Sequence, residues 1–316
     1  MITELTKSMI RLPWDASVSG LEVLSRQVFP GEDPEERLGQ VVQTMVAAGD
    51  YIRPGATLEL MRQAAEAVDA VAPDSGSQVA MVELQNKLEA FGVFEYVSSY
   101  LDVAPDQKAS LRELVARARS LDSYVSVWAT EGAGHLFTEQ FLAGNPLPKN
   151  LLTEEHLGAL PPESLITLHA GLGLSLATHI LKALQPASSR SDLETALHRF
   201  VGQCRQNSRE GYAEITLEAL GLVTRTLYPS LVPSIDRVLA DYDLDVLALF
   251  WHGVGRGLYF LPMNFIPQVG SAARAVTMAR EEAPHRLGRM NALAGVAWPM
   301  TLVNIRHPEV MAHFLN

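Results

Sequence analysis

The sequence predicts an all-α protein. Apolar residues recur every three or four positions through most of the chain, which is typical of amphipathic α-helices. Alternating Val- or Ile-rich segments joined by hairpin turns, which would indicate strands, are missing. Proline, glycine and short polar clusters divide the chain into segments of helix length. We therefore predict a helical bundle, with an N-terminal arm at 1–34 and a single all-α domain at 35–316.

The first third of the domain predicts three helices. Apolar residues at helical spacing run through 35–52, and a second helix is expected at 57–72. The turn cluster at 73–77 ends in Ser77, which can cap a third helix that continues to Phe91.

The middle of the chain predicts the core of the bundle. No proline interrupts 107–144, so we expect one long helix there, or two helices broken near the glycines at 132–134. A helical turn at 153–158 follows. Pro161 and Pro162 then open a helix that is apolar nearly all round, which predicts a central, buried position.

The last part of the chain predicts several more helices. Ser191 and Glu194 have the spacing of a capping box, which begins a helix through Cys204. Further helices are expected at 209–228, from Pro233, across 250–260, at 268–282 and at 285–304, with a terminal turn after Pro308.

Composition excludes several classes of function. A formal net charge of -11, with no run of Lys or Arg, disfavours nucleic acid and anionic membrane surfaces as partners. The single cysteine, Cys204, excludes an internal disulfide framework and an all-cysteine metal site. The first residues lack the apolar core of a signal peptide, and no apolar run approaches the roughly 20 residues of a membrane span. We expect a cytoplasmic protein.

The segment 250–260, FWHGVGRGLYF, carries the strongest candidate site. In a helix, His252 and Arg256 lie on one face, since they are four residues apart. Each helical glycine costs about 1 kcal/mol relative to alanine, so the glycines indicate close approach of another helix or of a ligand. His252 is predicted as a catalytic acid or base, and Arg256 as a contact to an anionic substrate group. The alternative is that Arg256 pairs structurally with a buried carboxylate such as Glu131.

Glu131 and His135 form a second candidate pair on one helical face. We predict them as catalytic acid/base residues, and a structural hydrogen-bonded pair is the alternative. Glu194 and His198 repeat the spacing, which allows a dinuclear metal site, but such sites use Glu-x-x-His and further carboxylates. No metal and no cofactor are predicted.

Further candidates line the same helices. His169 on the most apolar helix is predicted to contact substrate, or to be a core histidine held by hydrogen bonds. Trp251, Tyr259 and Arg289 are predicted as additional substrate contacts. The acidic stretch at 241–245 resembles a magnesium motif, but a solvated helix start explains it better because aspartates suit that end of the dipole.

The glycine-bearing segments of the two halves of the chain resemble each other. Placing 131–135 over 252–256 brings 169–173 close to 293–297. This alignment predicts two pseudo-repeated halves, 106–185 and 209–305, packed around a central pocket. Chance matches between short glycine-rich segments are the alternative.

The same segments resemble a known family. An EGA segment at 131, an HAGLG segment at 169, the HGVGRGLYF segment at 252 and R-x-x-x-LAGVA from Arg289 are similar to an uncharacterised bacterial family found beside enediyne and other polyketide biosynthesis genes. The resemblance covers about 120–316 and depends chiefly on HGVGR-x-L-x-F. Trp298-Pro299-Met300 departs from the glycine-rich continuation of the family motif. The resemblance implies a role in secondary metabolism and no particular reaction.

Two hypotheses about function follow. The first is a cofactor-independent tailoring enzyme, which performs an elimination, cyclisation, isomerisation or hydrolysis on a natural-product intermediate in an apolar pocket between helices. The second is a non-catalytic binding, scaffold or self-protection protein of a biosynthetic pathway. A biosynthetic partner protein and a homodimer are compatible with either. The enzyme hypothesis requires the predicted polar residues to converge on one accessible pocket.

Overall fold

The structure is a computed structural model that describes residues 75–104, 108–142, 144, 147–261, 264 and 271–315. The predicted arm at 1–34 and the predicted helices at 35–52 and 57–72 lie outside the described residues. Within the described residues the chain forms thirteen α-helices and one short 3-10 turn, and no strand. The prediction of an all-α helical bundle is confirmed.

The helix bounds are α1 (Ser75–Glu95), α2 (Val97–Tyr100), α3 (Leu111–Arg119), α4 (Ser123–Leu142), α5 (Glu154–Leu157), α6 (Pro162–Leu181), α7 (Arg190–Asn207), α8 (Ala213–Leu227), α9 (Val232–Tyr242), α10 (Leu244–Tyr259), α11 (Ser271–Glu282), α12 (Arg286–Val303) and α13 (Pro308–Leu315). The terminal turn predicted after Pro308 is thus a helix of two turns.

Six of these helices form a ring. Contacts join α1 to α4, α4 to α6, α6 to α8, α8 to α10 and α10 to α12, and α12 contacts α1 again. Neighbours in the ring run in the same direction. Between α4 and α6, for example, the backbone of Glu131 faces Gly171, and one turn later that of His135 faces Ser175.

The connecting helices return the chain along the outside of the ring. Helix α3 packs on α4, α7 packs on α6 and α8, α9 packs on α10, and α11 packs on α10 and α12. Their burial differs from that of the ring: six residues of α7 are buried, against 16 of the 20 in α6. The molecule therefore has an inner and an outer layer of helices, and the ring contains the helix with the largest buried share of the two compared.

Helix α6 confirms the prediction of a central helix. It is the one helix among the described residues that is long and apolar enough to cross a membrane, and 83% of its most apolar window is buried inside the protein. Its neighbours α4, α7 and α8 cover its surface. Burial among other helices, as in the core of a soluble protein, accounts for its composition.

Glycine pairs bring neighbouring ring helices into backbone contact at three crossings. The pairs are Gly134 with Gly171, Gly221 with Gly253, and Gly255 with Gly295. A Cβ atom added to any of these six glycines would lie 1.8 to 2.3 Å from a carbonyl oxygen three residues before the partner glycine. Only glycine fits at such distances, which explains why the helices retain it despite its low helix propensity.

The same crossing geometry recurs in both of the predicted pseudo-repeats. Gly134 and Gly171 cross within 106–185, and Gly255 and Gly295 cross within 209–305. The pairs match the alignment of glycine segments seen in the sequence. Gly221 and Gly253 cross with the same geometry, although this pair has no counterpart in the alignment of the two halves. The geometry is therefore common to neighbouring ring helices, and duplication of the halves stays a prediction.

The predicted break near 132–134 is wrong. The chain breaks at 120–122, between α3 and α4, and Gly132 and Gly134 lie inside α4. Asp122 stabilises the new helix start because its carboxylate accepts a hydrogen bond from the backbone N–H of Tyr124 at 3.0 Å. Gly134 is needed where α4 crosses α6. From the sequence pattern alone, a glycine at a helix crossing cannot be told from a glycine at a helix break.

The helix predicted from residue 209 begins at Ala213. The predicted capping box is also displaced. Ser189, not Ser191, caps α7, and Asp192 completes the reciprocal box. Ser191 and Glu194 lie within the first turns of the helix.

Replacing the true cap therefore has a measurable cost. We expect Ser189→Ala to lower the free energy of unfolding by about 1 kcal/mol, because it removes the acceptor for the Asp192 backbone N–H. Ser191→Ala, in which the hydroxyl of an exposed helical residue is removed, should change stability by less than about 0.5 kcal/mol. Urea unfolding of both variants measures the difference, and equal effects would contradict the assignment of the cap.

Candidate functional site

A buried ion-pair cluster lies inside the ring. Arg256 on α10 is 3% exposed and Glu131 on α4 is 3% exposed. Arg256 donates from Nη2 to Oε1 of Glu131, and its Nη1 lies 3.7 Å from Oε2 of Glu218 on α8. The guanidinium thus joins three ring helices through two carboxylates.

Burial and charge oppose each other within this cluster. Burial disfavours the charge on Arg256, but the carboxylates of Glu131 and Glu218 outweigh that effect and raise its pKa. Burial raises the pKa of Glu131, and the neighbouring Arg256 guanidinium opposes the shift. The guanidinium remains charged, and Glu131 is a stronger base than an exposed glutamate.

One atom of the cluster is unsatisfied. Nε of Arg256 is fully buried and has no hydrogen-bond partner. A buried donor without a partner loses its hydration without compensation, at a cost of about 1–3 kcal/mol. The guanidinium can therefore donate one more hydrogen bond to a suitably placed acceptor.

His252 extends the cluster toward solvent. Its Nδ1 lies 2.9 Å from Oε1 of Glu218, and 26% of the His252 side chain is exposed. On the other side, the ring of Trp298 on α12 lies 4.8 Å from Cζ of Arg256, in cation–π geometry. Glu218 and Trp298 together hold the guanidinium in one orientation.

The cluster forms part of the wall of a pocket. The pocket contains about 600 Å³ of empty space when the region open to solvent is included. Among the described residues, Glu131 and Arg256 are the charged ones that line it. The remaining lining residues come from α1, α4, α6, α8 and α10 and its end, and most are apolar or aromatic: Ala90, Phe91, Phe94, Trp128, Leu174, Leu222, Val223, Thr226 and Phe260.

The charge balance bears on the ligand that this pocket can take. Two carboxylates, Glu131 and Glu218, already surround the permanent charge of Arg256. An anionic group, which the sequence analysis expected Arg256 to bind, would have to approach both carboxylates. The donor that remains unpaired in the cluster, Nε–H of Arg256, calls for an acceptor, and a neutral acceptor such as a carbonyl oxygen adds no third negative charge.

His135 lies beside the pocket and does not line it. Its Nδ1 is 2.6 Å from Oγ of Ser175 on α6, and Nε2 is buried without a partner. Burial lowers its pKa to about 4, so the imidazole is neutral at pH 7. His135 and Glu131 make no hydrogen bond to each other in the structure, although they share a helix face.

His169 matches the structural alternative. Its Nδ1 donates to the carbonyl oxygen of Leu165 at 2.6 Å, and its Nε2 accepts from the backbone N–H of Arg209 at 3.0 Å. The ring also stacks on Tyr212. Both nitrogens are satisfied, so His169 holds the start of α8 against α6 and lies outside the pocket lining.

The remaining predicted contacts are dispersed. Trp251 is buried on α10 and donates from Nε1 to Oδ1 of Asp236 on α9 at 2.7 Å. The hydroxyl of Tyr259 accepts a hydrogen bond from Asn304, and Lys87 lies over its ring. Arg289 is exposed on α12. None of the three lines the pocket.

The predicted metal alternatives can also be located. Glu194 pairs with Arg190 at the surface, and His198 packs against Tyr242. In the acidic stretch at 241–245, Asp243 caps α10 because its carboxylate accepts hydrogen bonds from the backbone N–H groups of Asp245 and Val246. Among the described residues no group of three His, Cys, Asp or Glu side chains is placed to hold a metal ion.

Sequence reasoning missed Glu218. It lies three residues before Gly221, as Glu131 lies three residues before Gly134, and both glycines form helix crossings. The shared Glu-x-x-Gly spacing was a signal that could have found it. Trp128, Phe91, Phe94 and Phe260 were missed as well, because aromatic residues at helical spacing are ordinarily core.

Comparison with known proteins returned no matching family model, no matching curated protein and no matching solved structure. The geometry of the ring is therefore the basis for assigning function. It brings Glu131 and Arg256 together on one apolar pocket, with His252 and Glu218 behind them.

Proposed function

We propose that the protein is a cofactor-independent acid/base enzyme that moves a proton on a largely apolar, carbonyl-bearing small molecule. The observation that carries the proposal is that Glu131 and Arg256, whose Nε–H has no partner, both line an otherwise apolar pocket. A hydrogen-bond donor to the carbonyl oxygen and a base for the carbon-bound proton are the two groups that such chemistry requires.

The proposed step is an isomerisation. The substrate carbonyl oxygen accepts a hydrogen bond from Nε of Arg256. The Glu131 carboxylate takes a proton from the carbon next to that carbonyl, and the resulting enolate is stabilised at its oxygen by the guanidinium. Glu131 then returns the proton to another carbon of the conjugated system, so that no atoms are gained or lost.

The surroundings support this chemistry. Burial raises the pKa of Glu131, which makes its carboxylate a better base at neutral pH. Glu218 keeps Arg256 oriented when the negative charge of Glu131 is lost on protonation. His252 donates from Nδ1 to the Glu218 carboxylate near the surface, so its role is to support the cluster.

The family resemblance directs the choice of natural substrate. It favours an intermediate of polyketide or related secondary metabolism, made in the cytoplasm. The aromatic lining from Phe91, Phe94, Trp128 and Phe260 favours a planar, conjugated molecule, since aromatic rings pack well on such surfaces.

The test is exchange of carbon-bound hydrogen. We expect the protein to catalyse deuterium uptake into the methyl group of 2-acetylnaphthalene in D₂O, followed by proton NMR. Glu131→Gln should slow this exchange by about 100-fold or more, because it removes the base and keeps a hydrogen-bonding group. The matched control is Glu163→Gln, at a glutamate whose side chain is 59% exposed.

Thermal unfolding of both variants checks that the fold is intact. Wild-type exchange rates in folded Glu131→Gln would show that Glu131 is not the base.

A non-catalytic binding protein is the second candidate. The enzyme hypothesis required five polar residues to converge: Glu131, His135, His169, His252 and Arg256. Of these, Glu131 and Arg256 line the pocket as described, and His169 is internally satisfied. If 2-acetylnaphthalene binds, as followed by its fluorescence, and no exchange is catalysed, the binding function is favoured.

A further inference from the structure

Unsatisfied polar atoms cluster a second time, one helical turn from Glu131. Nε2 of His135, Oε1 of Glu139 and Oγ1 of Thr178 are buried and have no hydrogen-bond partner. Ser175 joins them, since its hydroxyl contacts Nδ1 of His135 at 2.6 Å. Buried polar groups in folded proteins are normally paired, so three such atoms on two adjacent helices indicate a missing partner.

This polar cluster lies directly behind the wall of the pocket. Ser175 follows Leu174, which lines the pocket, and His135 lies one turn after Glu131 on α4. The ring of Phe94, another lining residue, packs on the His135 imidazole with ring centroids 5.9 Å apart. The Phe94 side chain therefore contacts both the pocket and the imidazole.

The imidazole has free hydrogen-bonding capacity in either tautomer. If the Ser175 hydroxyl donates to Nδ1, then Nε2 carries a hydrogen that it can donate. If Ser175 donates to the carbonyl oxygen of His135, which lies at 3.2 Å, then Nδ1 donates to the hydroxyl and Nε2 is a free acceptor. A hydroxyl group, which both donates and accepts, can pair with Nε2 in both cases.

We infer that His135 and Ser175 form a second polar subsite of the same pocket, which takes a hydroxyl group of the ligand when the Phe94 side chain turns aside. The inference rests on the proposed function, because it assumes that the pocket binds a small molecule through Arg256. It adds a specific requirement: the ligand carries a carbonyl at one end of a planar apolar body and a hydroxyl at the other.

Two ketones test the subsite. One is 2-acetylnaphthalene, and the other is 6-hydroxy-2-acetylnaphthalene, which adds a hydroxyl at the far end of the same ring system. We expect the wild-type protein to bind the hydroxylated ketone about tenfold more tightly, the effect of one buried hydrogen bond. Kd values are measured by the fluorescence change of each ketone on binding.

Two variants locate the added interaction. His135→Phe removes both ring nitrogens at similar volume, and Ser175→Ala removes the hydroxyl that orients the imidazole, with less risk to the fold. In each folded variant the preference should fall to about twofold or less, while the Kd of 2-acetylnaphthalene changes little. The monofunctional ketone is thus the internal control for the rest of the pocket.

The outcomes separate the two proposals. Equal binding of both ketones by the wild-type protein overturns the subsite and leaves the pocket in place. A preference that persists in both variants also overturns it, because the hydroxyl then binds elsewhere. Failure of the wild-type protein to bind either ketone contradicts the proposed function, and the subsite falls with it.

Discussion

Gly221→Ala is expected to destabilise the protein severely, although it adds one methyl group. The new Cβ atom would lie 1.8 Å from the carbonyl oxygen of Phe250 and 2.6 Å from the backbone nitrogen of Val254. Both atoms belong to the backbone of α10, so no side-chain rotation can relieve the overlap, and the two helices must separate. Because separation disturbs the ring around Arg256, we expect a loss of about 3 kcal/mol or more in the free energy of unfolding.

The matched control is Gly202→Ala on the outer helix α7. No atom lies within 4 Å of a Cβ added there, and alanine is the better helix former by about 1 kcal/mol. We expect Gly202→Ala to leave stability unchanged or to raise it slightly. Urea unfolding followed by circular dichroism measures both variants. A stability of Gly221→Ala equal to that of the wild type would show that α8 and α10 do not cross at this glycine.

Arg256→Met is expected to have the second large effect. It leaves Glu131 buried without its cationic partner, and loss of one partner from a buried ion pair costs about 3–5 kcal/mol. Adding Glu131→Met to this variant removes the uncompensated charge and should recover much of the loss, since apolar replacements of buried pairs are often tolerated. Arg119→Met, at an exposed pair with Glu163, should cost less than about 1 kcal/mol.

The effect of Arg256→Met should depend on pH with a definite sign. Burial raises the pKa of Glu131 in the folded protein, and without Arg256 nothing in the cluster opposes that shift. The folded state then holds the Glu131 proton more tightly than the unfolded state, so stability falls as pH rises above the unfolded-state pKa of about 4.3. The difference between Arg256→Met and wild type should shrink as the pH is lowered toward that value. A pH-independent difference would contradict the buried, ionised carboxylate.

Part of the site follows from local spacing. A helical arrangement places His252 and Arg256 on one face, and an arginine in an apolar helix requires a carboxylate partner, for which Glu131 was one candidate. The structure pairs Arg256 with Glu131. Glu218 shares the Glu-x-x-Gly spacing of Glu131, but that spacing does not tell which arginine on another helix the carboxylate meets.

Local pattern also misplaced several features for a physical reason. A glycine inside a helix and a glycine at a helix break look alike in sequence, so the break was expected near Gly132 and Gly134 and occurs at 120–122. His169 was predicted as a substrate contact or as a core histidine held by hydrogen bonds, and Trp251 as a substrate contact. Their partners proved to be the backbone around 165 and 209 for His169 and the Asp236 carboxylate for Trp251.

The sequence by itself determined the fold class, the central position of α6 and the presence of glycine-bearing helices, because hydrophobic periodicity and helix propensity act over a few residues. Only the tertiary structure decided that six helices close into a ring, that Arg256 meets two carboxylates there, and that Phe94 packs on His135 at the pocket wall. These arrangements depend on contacts between residues far apart in the chain, and the glycine crossings that set them are made by backbone atoms that carry no side-chain signature in the sequence.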